Sequence, residues 1–424
     1  MGDAPIPRRA FLEAGIPALA FAALPGPLRA QARDATETRT YRLRLKETAG
    51  LRRFGYPVHA VLPGPPDSAN FRLERDGRPV PAQFRTVADA DGRKHVALDF
   101  NASPGPLETE VYTVKAGPGV EAGPEPKQGM SVRQDGGEFR VANGSVLVYR
   151  VPDRLDGFLR GVTNVRTDFL RERSPGLSLV DRRGGERPVG GGTDDSGFRG
   201  TVTRSGPVAV GLRFEGAIAG LGRLRSTVDL TFPNSKSWVE ASWTVDDPEG
   251  VVAVLKADLS LRIEGEQPLT LDFGANNTVY GVLRGRESME LQAGDAPGLP
   301  PLRSAWRVMK SEPGRQSPAP FALAASNDGP PAEGWAHVMD ATRCTAAAVA
   351  GFGRSSRDAI RVAGDGGLGI YRTFSETRAA APPPGPKSLR FWLHFVPNPV
   401  QIGAATSPQA MLAPLEVAWE PAEG

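Results

Sequence analysis

Three groups of residues in this sequence carry side chains able to do chemistry. The first lies in the run Trp238-Val239-Glu240-Ala241-Ser242-Trp243. In an extended strand, Trp238 and Glu240 project to one side, expected to lie beside the polar faces of neighbouring runs that carry Asp229 and Lys256. A flat indole stacks on a sugar ring, and carboxylates and ammonium groups bond sugar hydroxyls or acid groups. The bland reading of the same row is a solvated sheet face with Lys–Asp pairs across strands. The second group is Asn276-Asn277-Thr278-Val279-Tyr280, followed by Arg284, Arg286 and Glu287. Its amides suit sugar hydroxyls, and they equally suit a turn, because Asn tolerates the left-handed region. The third is His337, in Gly334-Trp335-Ala336-His337, and His394, in Phe391-Trp392-Leu393-His394. Histidine is the side chain that titrates near neutrality and so serves as a proton-abstracting base, with a cation such as Arg307 to stabilise the anion formed. A histidine flanked by aromatic residues on a strand also reads as a packed structural group.

Other chemistries lack their patterns. The four histidines (His59, His95, His337, His394) and single cysteine, Cys344, show no metal-ligand spacing, so neither metal nor cofactor is expected. Cys344 alone forms no intramolecular disulfide. Asp246-Asp247 precedes Pro248 and reads as turn chemistry rather than a hydrolytic acid pair. Asp194-Asp195, in a glycine-rich stretch, lacks the spacing of a dedicated calcium loop. No nucleophilic Ser or Cys motif is present. With 51 Lys+Arg against 48 Asp+Glu, the net charge of +3 is near balance, and no Lys/Arg stripe points to nucleic acid.

The elements that position these residues are strands. Gly (50) and Pro (40) exceed a fifth of the 424 residues without a collagen period, and both are rejected by helix interiors. The class expected is all-β. From Thr40 to Lys115, short alternating runs separated by Asp76-Gly77 and Asp91-Gly92 turns give a small barrel or sandwich over residues 33–115. Residues 116–128, Gly/Pro-rich and nearly free of large apolar groups, read as a linker. From 129 to 424 one large antiparallel two-layered unit is expected. Its clearest part is a meander of three runs, Thr227–Phe232, Trp238–Val245 and Leu255–Ile263, each with an apolar and a polar face. Arg182 to Gly200 reads as a long surface loop.

The first 32 residues carry an export pattern. Arg8-Arg9 followed by Phe11-Leu12 matches the feature read by the twin-arginine translocase. A mildly apolar run from Ala14 to Leu24 is too short to span a bilayer. Ala30-Gln31-Ala32 supplies the small residues of a cleavage site, placed after Ala32. No later run is long and apolar enough for a transmembrane helix, so a periplasmic or extracellular mature chain is expected.

Residues KETAGLRRFGYPVHAVLP, PVPAQF and ALDFNASPGPLETEVYTV resemble the N-terminal β-domain of the YetA-like, exo-rhamnogalacturonan-lyase-like family. FRVANGSVLVYRV, WVEASWTVDDPEG, LDFGANNTVYGVL, GWAHVMDATRCTAAAVAGF and SLRFWLHFVP resemble its central sandwich. The resemblance covers most of residues 40–424. It implies a galactose-mutarotase-like β-supersandwich and a polysaccharide or oligosaccharide partner. It also implies lyase chemistry, in which a base takes the proton α to a uronate carboxylate. The family's lyases carry a C-terminal α/α-toroid domain that this chain is expected to lack, together with any cleft wall it supplies. The rival expectation is a non-catalytic structural or interaction sandwich of the cell envelope.

Overall fold

A computed structural model describes residues 38–63, 70–89, 91–190, 197–265, 268–326, 329–377, 381–398 and 407–420. The expected export signal (1–32) and Asp194-Asp195 lie outside the described residues. Among the described residues nearly every element is an antiparallel strand, and one short helix, Ser407–Leu412, is present. The all-β class follows from the alternation: in Trp238–Asp246, Val239, Ala241, Trp243 and Val245 are buried in the main core while Glu240, Ser242 and Thr244 point the other way.

The small unit is a five-stranded sheet packed on a three-stranded one. Leu43, Leu45, Val58, Leu98, Phe100, Tyr112 and Val114 fill the space between them. Its edge strand comes from the far end of the chain. Glu416–Trp419 pairs with Arg39–Lys46, Trp419 opposite Leu43, and the Trp419 indole donates to the Val61 carbonyl at 2.7 Å. The division read from the sequence assigned these residues to the large unit. Burial of Leu415 and packing of Trp419 against the small core bring them back.

Two large sheets face each other across the main core. The nine-stranded sheet runs, edge to edge, Arg199–Arg204, Ala209–Ile218, Leu221–Pro233, Trp238–Asp246, Lys387–Pro397, Arg343–Val349, Trp335–Met339, Leu269–Gly274 and Thr278–Leu283. The eight-stranded sheet runs Glu186–Pro188, Gly176–Asp181, Val252–Ser260, Gly367–Thr373, Arg357–Ala363, Ser288–Ala293, Trp306–Ser311 and Ala319–Leu323. A further five-stranded sheet, Met130 to Asp168, closes one end of the same core.

Two expectations are corrected here. Val252–Ser260 does not continue the meander: the chain crosses to the eight-stranded sheet after Asp246. The crossing is held by Asp247, fully buried, whose carboxylate accepts the Val251 and Val252 amides at 2.7 and 3.0 Å, so this acid does serve a turn. The stretch Arg182–Gly200 also holds a short strand, Glu186–Pro188, paired with Gly176–Asp181.

Candidate functional site

The outer face of the nine-stranded sheet, turned away from the main core, gathers Trp238, Glu240, Tyr280, His337 and His394 from the residues singled out above. Pairing registers place Tyr280 opposite Asp272, Asp272 opposite His337, His337 opposite Ala346, Ala346 opposite His394, and His394 opposite Trp238. This is one continuous row across six strands, about 24 Å long at the usual strand spacing. Two residues along, a second row pairs Trp335 with Ala348, Ala348 with Trp392 and Trp392 with Glu240. The indoles lie on small residues. A Cβ at Gly274 would sit 2.1 Å from the Trp335 Nε1, so no other residue fits beneath that ring.

The row is open at one end and roofed in its middle. Tyr280 is 69% exposed. Asp272 is half-buried, whereas His337, His394 and Trp238 are 7%, 5% and 3% exposed. Trp238, Trp335, Ala348 and Trp392 form a cluster with Met411 and Leu412 of the helix and with Tyr56 of the small unit. Tyr56 meets Trp238 edge-on at 6.2 Å, and His394 meets it on another side at 6.0 Å. The roof is fixed by Arg53, whose guanidinium donates to the carbonyls of Ala410 (3.0 Å) and Ala413 (2.6 Å) at the C-terminal end of the helix. Arg53 is itself paired with the fully buried Glu47 at 2.7 Å.

His337 Nδ1 lies 3.0 Å from Asp272 Oδ1. A carboxylate only accepts, so Nδ1 is the donor of this pair and Nε2 is left outside it. This is the orientation in which an acid-held histidine acts as a base. His394 differs. Burial, with the charges of Lys236 and His337, holds its pKa down to about 3, which makes it a neutral ring and a weak base. Lys236 sits 5.1 Å above the Trp238 ring, and burial together with Arg53 brings its pKa down to about 8. Glu240 Oε1 accepts Arg390 Nε at 2.7 Å and its Oε2 accepts the Trp392 indole at 3.1 Å. Burial, and secondarily the Asp272 charge, pushes the Cys344 thiol up to about 12, so it stays protonated.

Lys256 and Arg307 are not brought here. Both stand on the outer face of the eight-stranded sheet, across the sandwich. Lys256 pairs with Glu186 at 2.7 Å, and Arg307 Nε donates to Gln292 at 2.7 Å. The alternation that buries Trp306 and Val308 necessarily turns Arg307 outward on that sheet. Arg307 therefore cannot stabilise an anion formed at His337 or His394. Asn276 and Asn277 are exposed on the hairpin before Tyr280, and Asn276 Oδ1 accepts the Trp306 indole at 2.8 Å, tying the two sheets at their edge. Trp238 is not on an open face, because the small unit covers it.

Sequence reasoning missed Asp272, Trp335, Trp392, Lys236 and Tyr56. The signal for two of these was present: Trp335-Ala336-His337 and Trp392-Leu393-His394 repeat Trp-x-His, which in strands puts indole and imidazole on one face. Among the described residues no group of three or more His, Cys, Asp or Glu is arranged to hold a metal ion, and no helix is long and apolar enough to cross a membrane.

The sequence matches no family model and no curated protein. The fold is similar to that of a glycosyl hydrolase family 38 protein from Enterococcus faecalis, with TM-score 0.57 and 10% identity over 90% of this chain and 47% of that one. It is likewise similar to an α-mannosidase from Enterococcus faecalis V583, with TM-score 0.53 and 10% identity over 90% and 46%. A galactose 1-epimerase from Lactobacillus acidophilus NCFM aligns along 99% of its length with 64% of this chain, at TM-score 0.35 and 9% identity. The chain spans about half the length of the first two structures. The likeness shows a sandwich fold shared with carbohydrate-active proteins.

Proposed function

We propose that this chain is an exported protein that binds or processes carbohydrate, and that sugar meets the outer face of the nine-stranded sheet. The observation that carries the reading is the open end of the row, where exposed Tyr280 stands opposite Asp272 and Asp272 holds His337, beside the roofed indoles of Trp335 and Trp392. Aromatic faces with a few convergent polar groups are what saccharide recognition needs. The sandwich it shares with proteins described as a family 38 glycosyl hydrolase and an α-mannosidase supports the same class, though fold analogy alone does not carry function.

If the protein turns over its glycan as the resemblance to the YetA-like, exo-rhamnogalacturonan-lyase-like family implies, His337 is the base. It is held by Asp272 with Nε2 free of that bond, and Arg307, across the sandwich, has no part in it. The rival, a non-catalytic envelope sandwich, is favoured by His394, whose pKa of about 3 suits packing more than proton transfer. The deciding experiment is a glycan-binding screen with parallel detection of unsaturated uronate absorbance. Binding with a rise in absorbance supports a lyase, binding alone supports a lectin-like role, and neither supports the rival. Export through the twin-arginine translocase to the periplasm or beyond rests on Arg8-Arg9 and Ala30-Gln31-Ala32. Replacing both arginines by lysine is expected to strand an unprocessed precursor in the cytoplasm.

A further inference from the structure

The small unit presents one large aromatic side chain to solvent beside the roofed row. Phe54 is 54% exposed, yet the backbone on either side of it is held. The Arg53 amide donates to the Pro104 carbonyl at 2.9 Å, and the Gly55 amide donates to Ser103 Oγ at 2.9 Å. The Phe54 carbonyl accepts Lys236 Nζ from the sandwich. Gly55 adopts φ +55° against Ser235, whose Oγ would lie 2.5 Å from any Cβ there. Arg53 is buried in its pair with Glu47, and Tyr56 packs on Trp238. The segment 53–56 therefore turns two neighbours inward and leaves Phe54 out, on a rigid frame. A frayed loop would expose an aromatic by chance; this loop is clamped in the conformation that exposes it.

The surroundings of the ring say what it is fit for. The Arg52 guanidinium, also exposed, lies 5.8 Å from the Phe54 centroid. Lys236 links the site to the candidate face, with its ammonium bonded to Phe54 O and 5.1 Å from the Trp238 ring. A half-exposed ring with a guanidinium over one face and an ammonium on its own backbone carbonyl suits a pyranose, whose C–H face stacks on a ring while its hydroxyls accept N–H bonds.

We propose that Phe54, with Arg52 and Lys236, forms a sugar-binding subsite contributed by the small unit, which holds a ring of an oligosaccharide at the rim of the roof that covers Trp238. The inference rests on the reading of the sheet face as a saccharide site. A rigid, pre-placed aromatic costs little ordering on binding.

The test is isothermal calorimetry of the full chain with tetrasaccharides of oligogalacturonate, rhamnogalacturonan and α-mannan, run on the unaltered protein, Phe54→Ala and Phe54→Trp, with melting temperatures for each. The expected result is a five- to tenfold loss of affinity (roughly what an aromatic contact provides) in Phe54→Ala at unchanged melting temperature, with affinity retained in Phe54→Trp. Binding that Phe54→Ala leaves unchanged overturns the subsite while the sheet-face reading stands. A fall in melting temperature that Phe54→Trp does not restore assigns Phe54 a structural role and overturns it too. Failure of the unaltered protein to bind any of the three overturns both.

Discussion

The two outer faces of the sandwich start from the same sequence pattern and end differently. On the eight-stranded sheet the outward residues satisfy one another under solvent: Lys256 pairs with Glu186, the Tyr371 hydroxyl donates to Asp258 at 2.7 Å, and Arg307 bonds Gln292. On the nine-stranded sheet the outward positions hold Trp238, Trp335, Trp392, His337 and His394, and a helix and the small unit lie over them. Period-two alternation reports that a strand has two faces, and it does not report what covers the second. Aromatic residues at the nominally polar positions carry that information.

The largest effects should come from the two indoles of one strand. Trp243, fully buried with its Nε1 donating to Ser226 Oγ at 2.8 Å, should cost about 3–5 kcal/mol when truncated to Ala. Trp238→Ala should cost about 3 kcal/mol as well, because its face is roofed. Lys256→Ala on the other sheet should stay within about 1 kcal/mol. Urea unfolding of the three variants measures this, and a Trp238→Ala cost near that of Lys256→Ala would remove the roof from the account.

Next is the roof's anchor. Arg53→Ala strands Glu47 in a buried site and frees the Ala410 and Ala413 carbonyls, for an expected loss of about 3–5 kcal/mol. Burial raises the Glu47 carboxyl, but the bonds from the Leu107 amide, Arg53 and the Ala49 amide outweigh it and bring the pKa below the usual value. Its contribution is therefore present above the ordinary carboxylate pKa and lost as pH falls through the lowered one. Acrylamide quenching of tryptophan emission should rise in Arg53→Ala, since Trp335 and Trp392 lie under the helix it holds. Unchanged quenching would mean the helix stays down without Arg53.

Between pH 6 and 4 a smaller effect is expected from His394. Its folded pKa of about 3 lies below the ordinary 6.5, so the unfolded chain binds the proton first. Stability is full above pH 6.5 and falls on acidification toward 3 by up to about 1.4 kcal/mol per pH unit. His394→Gln should flatten that slope in pH-dependent unfolding between pH 6 and 4. A slope identical to that of the unaltered protein would mean the ring is not held neutral.

Much of the fold was legible because Gly/Pro turns and alternation act locally. The strands carrying Trp238, Tyr280 and His394 could be read directly. The sheet membership of Val252–Ser260 could not, since the crossing depends on Asp247 binding two amides in a buried turn. The return of Glu416–Trp419 to the small unit depends on contacts across the whole chain length. For the site, His337, His394, Trp238 and Glu240 were named from their types, and the structure brings them to one face. Lys256 and Arg307 were grouped with them although register and sheet order, which no single strand encodes, separate them. Asp272 sits in an ordinary-looking strand, and only pairing with Trp335–Met339 sets it beside His337.

The most direct test of the central claim compares one residue from each face in calorimetric titrations with the same oligogalacturonate, rhamnogalacturonan and α-mannan tetrasaccharides. His337→Gln, on the row held by Asp272, should weaken binding about tenfold or more, the scale of a lost hydrogen bond to a charged or polar ligand group. Arg307→Gln, across the sandwich, should leave it unchanged. Loss of binding in Arg307→Gln with His337→Gln unaffected would place the sugar on the eight-stranded sheet and contradict the account.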